Sequence, residues 1–537
     1  MPLENLFFAA TPQLGIVLFM VQINLKFKNN DRILLDIVKE DNKTLVKNTA
    51  PKIAVKPADY FIHYCFGSYR HSINKSGSQE PKDKQQTMSQ RILIKNTTIV
   101  NEGKSFIADV LIADGVIRQI GTIEIDSTYN VIDGTGKYLL PGIIDGQVHF
   151  RDPGLTHKGD LYTESKAAVA GGVTSFIDMP NTIPNILTVE SLKEKYAIAS
   201  KKSLANYSFF MGVNGDNIDE IIKTDTSQFI GVSDDGLYFT KKGNLLADNP
   251  ETMEKLFANC KSIIAIHSEK EEIIEANEQA FREQYGEDVP AKYHPIIRST
   301  KGCYEATKRA IDLAKKHNAR LHILHLTTEA ETHLFQNDIP LQEKKITTEV
   351  SVHHLWFSDK DYERLGMLIK WNPAIKTEQD KEGLLKALLD DRIDIITTDH
   401  APHTLEEKQK PYFQSMSGAP MVQHSLNCML EFCKQELISL EKIVEKMCHN
   451  PAILYRMTNR GFIREGYFAD LTLVDFNSQW TVAKENLLYK CGWSPLEGTT
   501  FNTKVIQTFV NGKLVYDHGQ FHEGTFGMAI DFDNKEV

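Results

Sequence analysis

The sequence predicts an α/β protein: a closed (β/α)8 barrel of the TIM type, with a small β-sandwich built from both flanks of the barrel. Three observations lead to this prediction. Eight short apolar runs alternate with helical stretches between residues 139 and 398. Nearly all of these runs end in a side chain that can bind a metal ion or a substrate. Short β-branched runs with tight turns lie on either side of the region.

Residues 1–87 differ in composition from the rest of the chain. The apolar stretch 6–23 is interrupted by Thr11-Pro12-Gln13, which makes it a poor membrane span, and neither a basic segment nor a clear cleavage site marks a signal peptide. Residues 72–87 are polar and linker-like. We therefore predict an N-terminal extension over 1–87 that is linker-like or poorly ordered, with folding information starting near Met88.

Two β-rich pieces lie at opposite ends of the remaining chain. Asp114-Gly115 and Asp133-Gly134 are tight-turn signals in the first piece, and Asn511-Gly512 is one in the second. We predict that residues 88–140 and 461–525 pair into one sandwich. Residues 141–460 would then form an inserted barrel domain, and residues 526–537 a tail.

The barrel prediction follows from repeated strands that end in polar residues. The first strand runs into Asp145, Gln147, His149 and Arg151, and alternation at a period of two sends these side chains to one side. In a parallel barrel the carboxyl ends of all strands meet at one mouth, where the active site lies. The predicted strands are 139–144, 173–179, 207–213, 229–232, 262–266, 320–324, 346–352 and 394–398. A helix over 165–170 is predicted between the first two of them.

Strand-end histidines and an aspartate predict a metal site. A lone histidine on an apolar strand is usually a core residue with satisfied hydrogen bonds. The shared position at strand ends favours metal binding instead, and clusters of histidine and carboxylate suit zinc. The predicted set is His149, His267, His325 and Asp399. The histidines interpreted as turn, surface or structural residues are His157, His294, His317, His322 and His333.

Charge and cysteine content indicate which kinds of partner and which cellular compartment to expect. The net charge of −10, with no basic block, argues against nucleic acid as a partner. Seven cysteines without a CxxC pair indicate a reducing compartment and thiols that mostly pack. We predict a cytoplasmic protein with a small-molecule substrate and no membrane partner.

Six motifs carry a resemblance to a known family. They are DGQVHFRDPG (145–154), MPNT (179–182), IHSEK (266–270), RLHILHLTT (320–328), WNPAIK (371–376) and TDHAPH (398–403). On these motifs the chain resembles the amidohydrolase superfamily and, within it, the dihydroorotases. The similarity runs from about Met88 to about Gly519. HFRDPG together with TDHAPH is specific, whereas either motif alone would indicate only an amidohydrolase.

The resemblance implies an activity and a role for each site residue. The activity is the reversible cyclisation of N-carbamoyl-L-aspartate to dihydroorotate, with loss of water, in pyrimidine biosynthesis. His149, His267 and His325 would ligate one or two Zn²⁺ ions, and Asp399 would be both a ligand and the catalytic base. The substrate-binding residues would be Arg151, Asn181, Asn372 and His403. The resemblance leaves room for a homodimer.

Two positions depart from the family's pattern. Gln147 stands where the family usually has the first histidine of Asp-x-His-x-His, and an amide oxygen is a weaker zinc ligand than imidazole. Many relatives place a carboxylated lysine at the end of strand four, where this chain has Asp234-Asp235-Gly236. Asp235 is therefore the candidate bridging ligand. The alternative, that this tripeptide is a plain turn, stays open.

Two other functions remain open from the sequence. A hydantoinase, dihydropyrimidinase or allantoinase would share the barrel, the metals and the ring-opening chemistry. Arg151 argues against the first two, whose usual substrates lack the α-carboxylate. The other alternative is a catalytically silent relative that scaffolds a partner such as aspartate carbamoyltransferase, which Gln147 would permit.

Overall fold

The structure is a computed structural model that describes residues 21–28, 32–39, 91–224, 229–237, 250–522, 524 and 527–533. The chain divides into two compact units, residues Met1–Gln85 and Gln86–Val537. In the first unit, strands β1 (Val21–Lys28) and β2 (Arg32–Lys39) pair antiparallel. Otherwise the prediction for residues 1–87 lies outside the described residues.

The division between the two units leads to a prediction about the N-terminal segment. A protein that starts at Met88 should fold and keep its full activity, because the barrel and the sheet beside it belong to the second unit. The measurement compares soluble yield, melting temperature and turnover of the shortened and full-length proteins. Loss of soluble protein on truncation would contradict the prediction.

Eight parallel strands form the predicted barrel. They pair in chain order, and the ring closes where the amide of His149 donates to the carbonyl of His400 at 2.8 Å. Phe210 interrupts the third strand, so this strand has two parts. The barrel strands are β8 (Ile143–Val148), β9 (Val173–Asp178), β10 (Asn206–Phe209), β11 (Met211–Gly212), β12 (Gly231–Ser233), β13 (Ile263–Ile266), β14 (Leu321–Ile323), β15 (Ile346–Ser351) and β16 (Ile395–Thr397). Almost every residue in them is buried, because helices cover the outside of a parallel sheet.

Helices connect the barrel strands and cover them. They are α1 (Leu161–Ala170), α2 (Val189–Lys202), α3 (Ile218–Lys223), α4 (Pro250–Asn259), α5 (Glu271–Tyr285), α6 (His294–Ile297), α7 (Thr300–His317), α8 (Glu329–Thr332), α9 (Val352–Trp356), α10 (Tyr362–Leu365), α11 (Glu378–Leu389), α12 (Leu405–Lys408), α13 (Ser425–Lys434), α14 (Leu440–Val444) and α15 (Asn450–Leu454). None of the helices in the described part of the chain combines the length and apolar character needed to cross a bilayer.

Two predicted boundaries differ from the observed ones. The first helix was expected over residues 165–170 but begins at Leu161, because the carboxylate of Asp160 accepts from two amides of its first turn. The seventh strand was expected to end directly before His353 and His354, but it stops at Ser351 and both histidines lie in α9. They are therefore not strand-end ligands.

The β-rich flanks join in one nine-stranded sheet. Strand β7 (Tyr138–Pro141) pairs antiparallel with β17 (Leu471–Asp475), with Pro141 opposite Leu471, and this pairing links the two flanks of the barrel. The strands before the barrel are β3 (Arg91–Asn101), β4 (Lys104–Ala113), β5 (Val116–Gly121), β6 (Tyr129–Asp133) and β7 (Tyr138–Pro141). Those after it are β17 (Leu471–Asp475), β20 (Lys504–Val510), β21 (Lys513–Asp517) and β22 (Gln520–Phe521), and a separate pair is β18 (Trp480–Thr481) with β19 (Thr500–Phe501).

Residues 527–533, predicted as part of a tail, return to the barrel. The carbonyl of Met528 accepts from the amide of Tyr207 at 3.0 Å, and the amide of Ile530 donates back to Tyr207 at 2.9 Å. Gly527 lies so close to Ala205 that a Cβ there would meet the Ala205 carbonyl oxygen at 1.9 Å. This segment therefore packs beside the amino end of β10, opposite the mouth where the site lies.

Candidate metal centre and substrate pocket

The carboxyl ends of the barrel strands bring the predicted site residues together around one cavity. The cavity has a volume of about 190 Å³, below the ~300 Å³ at which pockets for drug-sized ligands begin, so it suits a small substrate. His267 and His325 are fully buried beside Asp235, which reaches the cavity. The predicted residues that line the cavity are His149, Arg151, Asn181, Asp235, Asn372, Asp399 and His403.

An inner group consists of Asp235, His267 and His325. His267 Nδ1 lies 3.1 Å from His325 Nε2, and Asp235 Oδ1 lies 3.7 and 3.9 Å from these two nitrogens. Four donors placed tetrahedrally at zinc–ligand distances of about 2.0–2.1 Å would be roughly 3.3 Å apart. The observed separations bracket this value, so the group fits one tetrahedrally bound ion.

An outer group consists of His149, Asp235 and Asp399. His149 Nε2 lies 3.1 Å from Asp399 Oδ1 and 3.2 Å from Asp235 Oδ2. The two oxygens of Asp235 therefore face different groups, Oδ1 the inner one and Oδ2 the outer one. A carboxylate placed in this way can bridge two ions.

Neighbouring carboxylate and amide groups fix which nitrogen of each histidine faces the metal groups. Glu269 accepts from His267 Nε2 at 2.8 Å, which leaves Nδ1 for the inner group, and Arg298 pairs with the same carboxylate. Asn181 Oδ1 lies 2.7 Å from His149 Nδ1, which leaves Nε2 for the outer group. Such hydrogen bonds orient metal-binding imidazoles in proteins. The sequence analysis missed Glu269, although it lies two residues after a strand-end histidine.

The electrostatics of the two groups favour a bound cation. Burial lowers the pKa of His149, but hydrogen bonds to Asp235 and Asp399 outweigh the effect of burial and raise this pKa to about 9. His325 behaves in the same way because of Asp235, and its pKa also rises to about 9. Burial raises the pKa of the Asp399 carboxyl. The carboxylates of Asp235 and Asp399 thus stabilise the protonated imidazoles of His149 and His325. A divalent cation could take the place of those protons.

Gln147 lies beside the outer group. Its Nε2 donates to Asp235 Oδ2 at 3.0 Å, and its Oε1 is fully buried without a hydrogen-bond partner among the described residues. The outer group thus contains a single imidazole, whereas the inner group contains two. The donor set fits a metal ion at both groups, with the stronger nitrogen ligands at the inner one.

Part of the cavity wall is basic. Arg151 is buried, its Nε donates to the carbonyl of Pro402 at 3.2 Å, and its Nη2 lies 3.1 Å from His403 Nε2. Arg151 has a φ of +68°, which turns the backbone sharply at the strand end. Asn372 Oδ1 has no hydrogen-bond partner among the described residues. Lys158, which the sequence analysis did not select, also lines this wall.

Two of the histidines that were not assigned to the metal site, His322 and His294, are buried. His322 faces away from the cavity and contacts Thr347 and Glu349, as expected. His294, expected in a turn, is instead buried between the hydroxyl of Tyr412 and the carbonyl of Trp371. It supports the segment that carries Asn372.

Comparisons with known proteins place the chain in a family. The model of the amidohydrolase family matches residues 138–515. The dihydroorotase of Pyrococcus abyssi is 33% identical over 77% of this chain and 92% of its own length. An allantoinase of Bacillus velezensis is 30% identical over 82% of this chain and 98% of its own length.

A solved structure agrees with the architecture. The L-hydantoinase (dihydropyrimidinase) from Arthrobacter aurescens superposes with a TM-score of 0.76 at 26% identity, covering 82% of this chain and 99% of that one. The sequence relatives and this structure include several cyclic-amide hydrolases that differ in substrate.

Proposed function

Because the chain belongs to the amidohydrolase family, we propose that it is a zinc-dependent dihydroorotase that interconverts N-carbamoyl-L-aspartate and dihydroorotate. The observation that carries the proposal is the buried guanidinium of Arg151, which lines the same cavity as His149, Asp235 and Asp399. Both substrates carry a carboxylate at the α-carbon, and a guanidinium can hold a carboxylate through two parallel hydrogen bonds. Dihydroorotases among the relatives, at 29–33% identity, support the same substrate.

The metal would be held by the two groups that share Asp235. Zinc in the inner group, and a second, weaker ion in the outer group, would polarise the ring carbonyl and lower the pKa of a water molecule toward ~7. Glu269 and Asn181 keep the correct imidazole nitrogens turned toward the ions. Asp145, whose pKa burial raises to about 7, accepts from the amide and hydroxyl of Thr398 and so braces the strand end before Asp399.

Asp399 is the proposed proton carrier. In ring opening its carboxylate accepts a proton from the attacking water and returns it to the leaving ring nitrogen. In ring closure it takes the proton of the attacking carbamoyl nitrogen and delivers it to the departing oxygen. Burial raises the pKa of this carboxyl, which makes it a stronger base than an exposed aspartate.

The other residues of the wall orient the ring. Arg151 and His403 would hold the α-carboxylate, and their contact of 3.1 Å places both at one end of the cavity. Asn372 offers an amide group whose oxygen is not used by the described residues. Asn181 also lines the cavity, beside His149. Together they would present the ring carbonyl to the metal groups.

The second candidate is a hydrolase of uncharged cyclic amides, which the allantoinase relative and the hydantoinase structure favour. An uncharged substrate would leave the guanidinium of Arg151, which lines the cavity, without a carboxylate to bind. The scaffold alternative requires a decayed site, yet each metal group keeps three potential ligands. The deciding assay measures turnover of dihydroorotate, N-carbamoyl-aspartate, hydantoin, dihydrouracil and allantoin by the same zinc-loaded protein.

Arg151→Lys tests the proposed carboxylate anchor. We expect kcat/KM for dihydroorotate to fall about 100-fold, roughly 3 kcal/mol, because an ammonium cannot reproduce the two-pronged hydrogen bond. Arg118→Lys, at an exposed arginine that pairs with Asp114, serves as the control. An unchanged kcat/KM would show that Arg151 does not hold the carboxylate, and a gain on uncharged hydantoins would favour the second candidate.

A further inference from the structure

Gly236 follows Asp235 in the turn after β12 and lines the cavity. Its φ of +72° lies in the left-handed region. A Cβ added to this glycine would lie 2.0 Å from Asn181 Nδ2, 2.6 Å from its Cγ and 2.8 Å from its Cβ. All three separations are below 3.0 Å, a limit that real Cβ contacts essentially never cross. The side chain of Asn181 therefore occupies the space that a side chain at position 236 would need.

The segment that carries Asn181 also contacts the loop after β8. A Cβ added to Gly154 would lie 2.0 Å from the carbonyl oxygen of Ile183. The amide of Ile183 donates to the carbonyl of Pro153 in the same loop at 3.2 Å. Two glycines from two different loops thus contact residues 181–183. A shift of this segment to make room at position 236 would disturb its contacts with the loop after β8.

Asn181 connects Gly236 to the outer metal group. Its Oδ1 lies 2.7 Å from His149 Nδ1, and His149 Nε2 lies 3.1 Å from Asp399 Oδ1. Nδ2 and Oδ1 of Asn181 belong to one planar amide group. A side chain at position 236 that displaces Nδ2 therefore displaces Oδ1 as well. His149 would then lose the hydrogen bond that orients its ring toward the outer group.

We propose that Gly236 is a positioning residue for the outer metal group and that it acts through Asn181. The absence of a side chain at position 236 leaves room for the Asn181 amide beside His149. The turn after β12 would thus serve the outer group twice, since Asp235 supplies a ligand and Gly236 allows the orientation of His149. This role rests on the metal centre of the proposed function.

Gly236→Ala tests the proposed role, with Gly286→Ala as the matched control. Gly286 also has a left-handed φ, +69°, but a Cβ added there meets no other part of the protein within 4 Å. Both substitutions place an alanine at a positive φ, and only the one at position 236 adds a collision with Asn181. Asn181→Gly, alone and combined with Gly236→Ala, removes the side chain that collides.

The first measurement is a calorimetric titration of the metal-free, full-length protein with zinc. Loss of a group that supports a metal ligand lowers metal affinity about 10–100-fold. We expect Gly236→Ala and Asn181→Gly each to weaken binding of the second zinc ion at least about tenfold and to leave the first ion tightly bound. The double variant should bind the second ion no more weakly than Asn181→Gly alone, because the collision is then absent. Gly286→Ala should match the wild type.

The second measurement compares crystal structures of the zinc-loaded wild type and Gly236→Ala. We expect the contact between Asn181 and His149 in the wild type and its loss in the variant. An unmoved Asn181, or an unchanged affinity for the second ion, would overturn the role of Gly236. Affinity losses that multiply in the double variant would also overturn it, because the effect of Gly236→Ala would then not depend on Asn181.

Two further outcomes keep the test decisive. If Gly236→Ala is insoluble, a soluble double variant supports the collision with Asn181, and an insoluble double variant overturns it. A wild type that binds a single zinc ion, or that does not turn over dihydroorotate, would refute that part of the proposed function. The position of Asn181 in the two crystal structures would still decide the role of Gly236.

Discussion

Asp399→Asn is expected to lower kcat at least about 1,000-fold while the purified protein keeps one tightly bound zinc ion. The loss follows from the proposed role of the carboxylate as proton carrier, because general acid–base groups contribute about 10²–10⁴-fold and an amide cannot accept the proton. The zinc should stay because Asp399 belongs only to the outer group. The inner group keeps both imidazoles and Asp235.

The measurement combines zinc per chain with kcat in both directions of the reaction. Asp394→Asn is the matched control, since Asp394 is also a buried aspartate next to β16 but lies at its opposite end, paired with Lys344. If Asp399→Asn retained more than about a tenth of the wild-type rate, another group would have to carry the proton. Loss of all zinc would instead place Asp399 in the tight site.

Asp235→Ala is expected to remove both metal and activity. Asp235 is the only residue shared by the inner and outer groups among the described residues, and each of its oxygens faces one of them. Without it the inner group has two imidazoles and the outer group one imidazole and one carboxylate. Fewer than three protein ligands seldom hold zinc firmly. Loss of a residue that only supports a metal ligand lowers metal affinity by up to about 100-fold. Because Asp235 would itself be a ligand, we expect zinc affinity to fall at least about 100-fold.

Zinc per chain after dialysis against a weak chelator, together with kcat, decides the outcome. Asp219→Ala is the control, because this exposed aspartate pairs with Lys255 on the barrel surface. Full zinc and full rate in Asp235→Ala would reduce Asp234-Asp235-Gly236 to a plain turn. Partial loss in Asp235→Asn would show how much of the effect belongs to the negative charge.

The sequence predicts the strand-end residues of the site because parallel strands impose simple geometry. Every strand of a barrel ends at the same mouth, so a polar residue directly after an apolar run must lie there. This reasoning located His149, His267, His325 and Asp399, which the structure brings into two adjoining groups. The prediction of an eight-stranded barrel was confirmed. It could be made because the barrel strands are buried and therefore appear in the sequence as apolar runs at regular spacing.

The residues that the sequence does not predict come from loops and from tertiary contacts. Lys158 reaches the cavity only because the loop before α1 folds back against His403. The predicted strand 346–352 leads directly into His353, so the sequence does not show that β15 ends at Ser351. Positive φ values at His325 and Asp399, +36° and +44°, turn these side chains at the strand ends and have no signature in residue type.

The pairing of β7 with β17 has a consequence during synthesis. Leu471 leaves the ribosome about 330 residues after its partner Pro141, which at roughly 5–20 residues per second takes roughly 15–65 s. Throughout this time the edge of β7 that pairs with β17 is without its partner strand. An unpaired strand edge can associate with other chains. The nascent protein should therefore depend on chaperones more than a barrel with its sheet encoded in one piece.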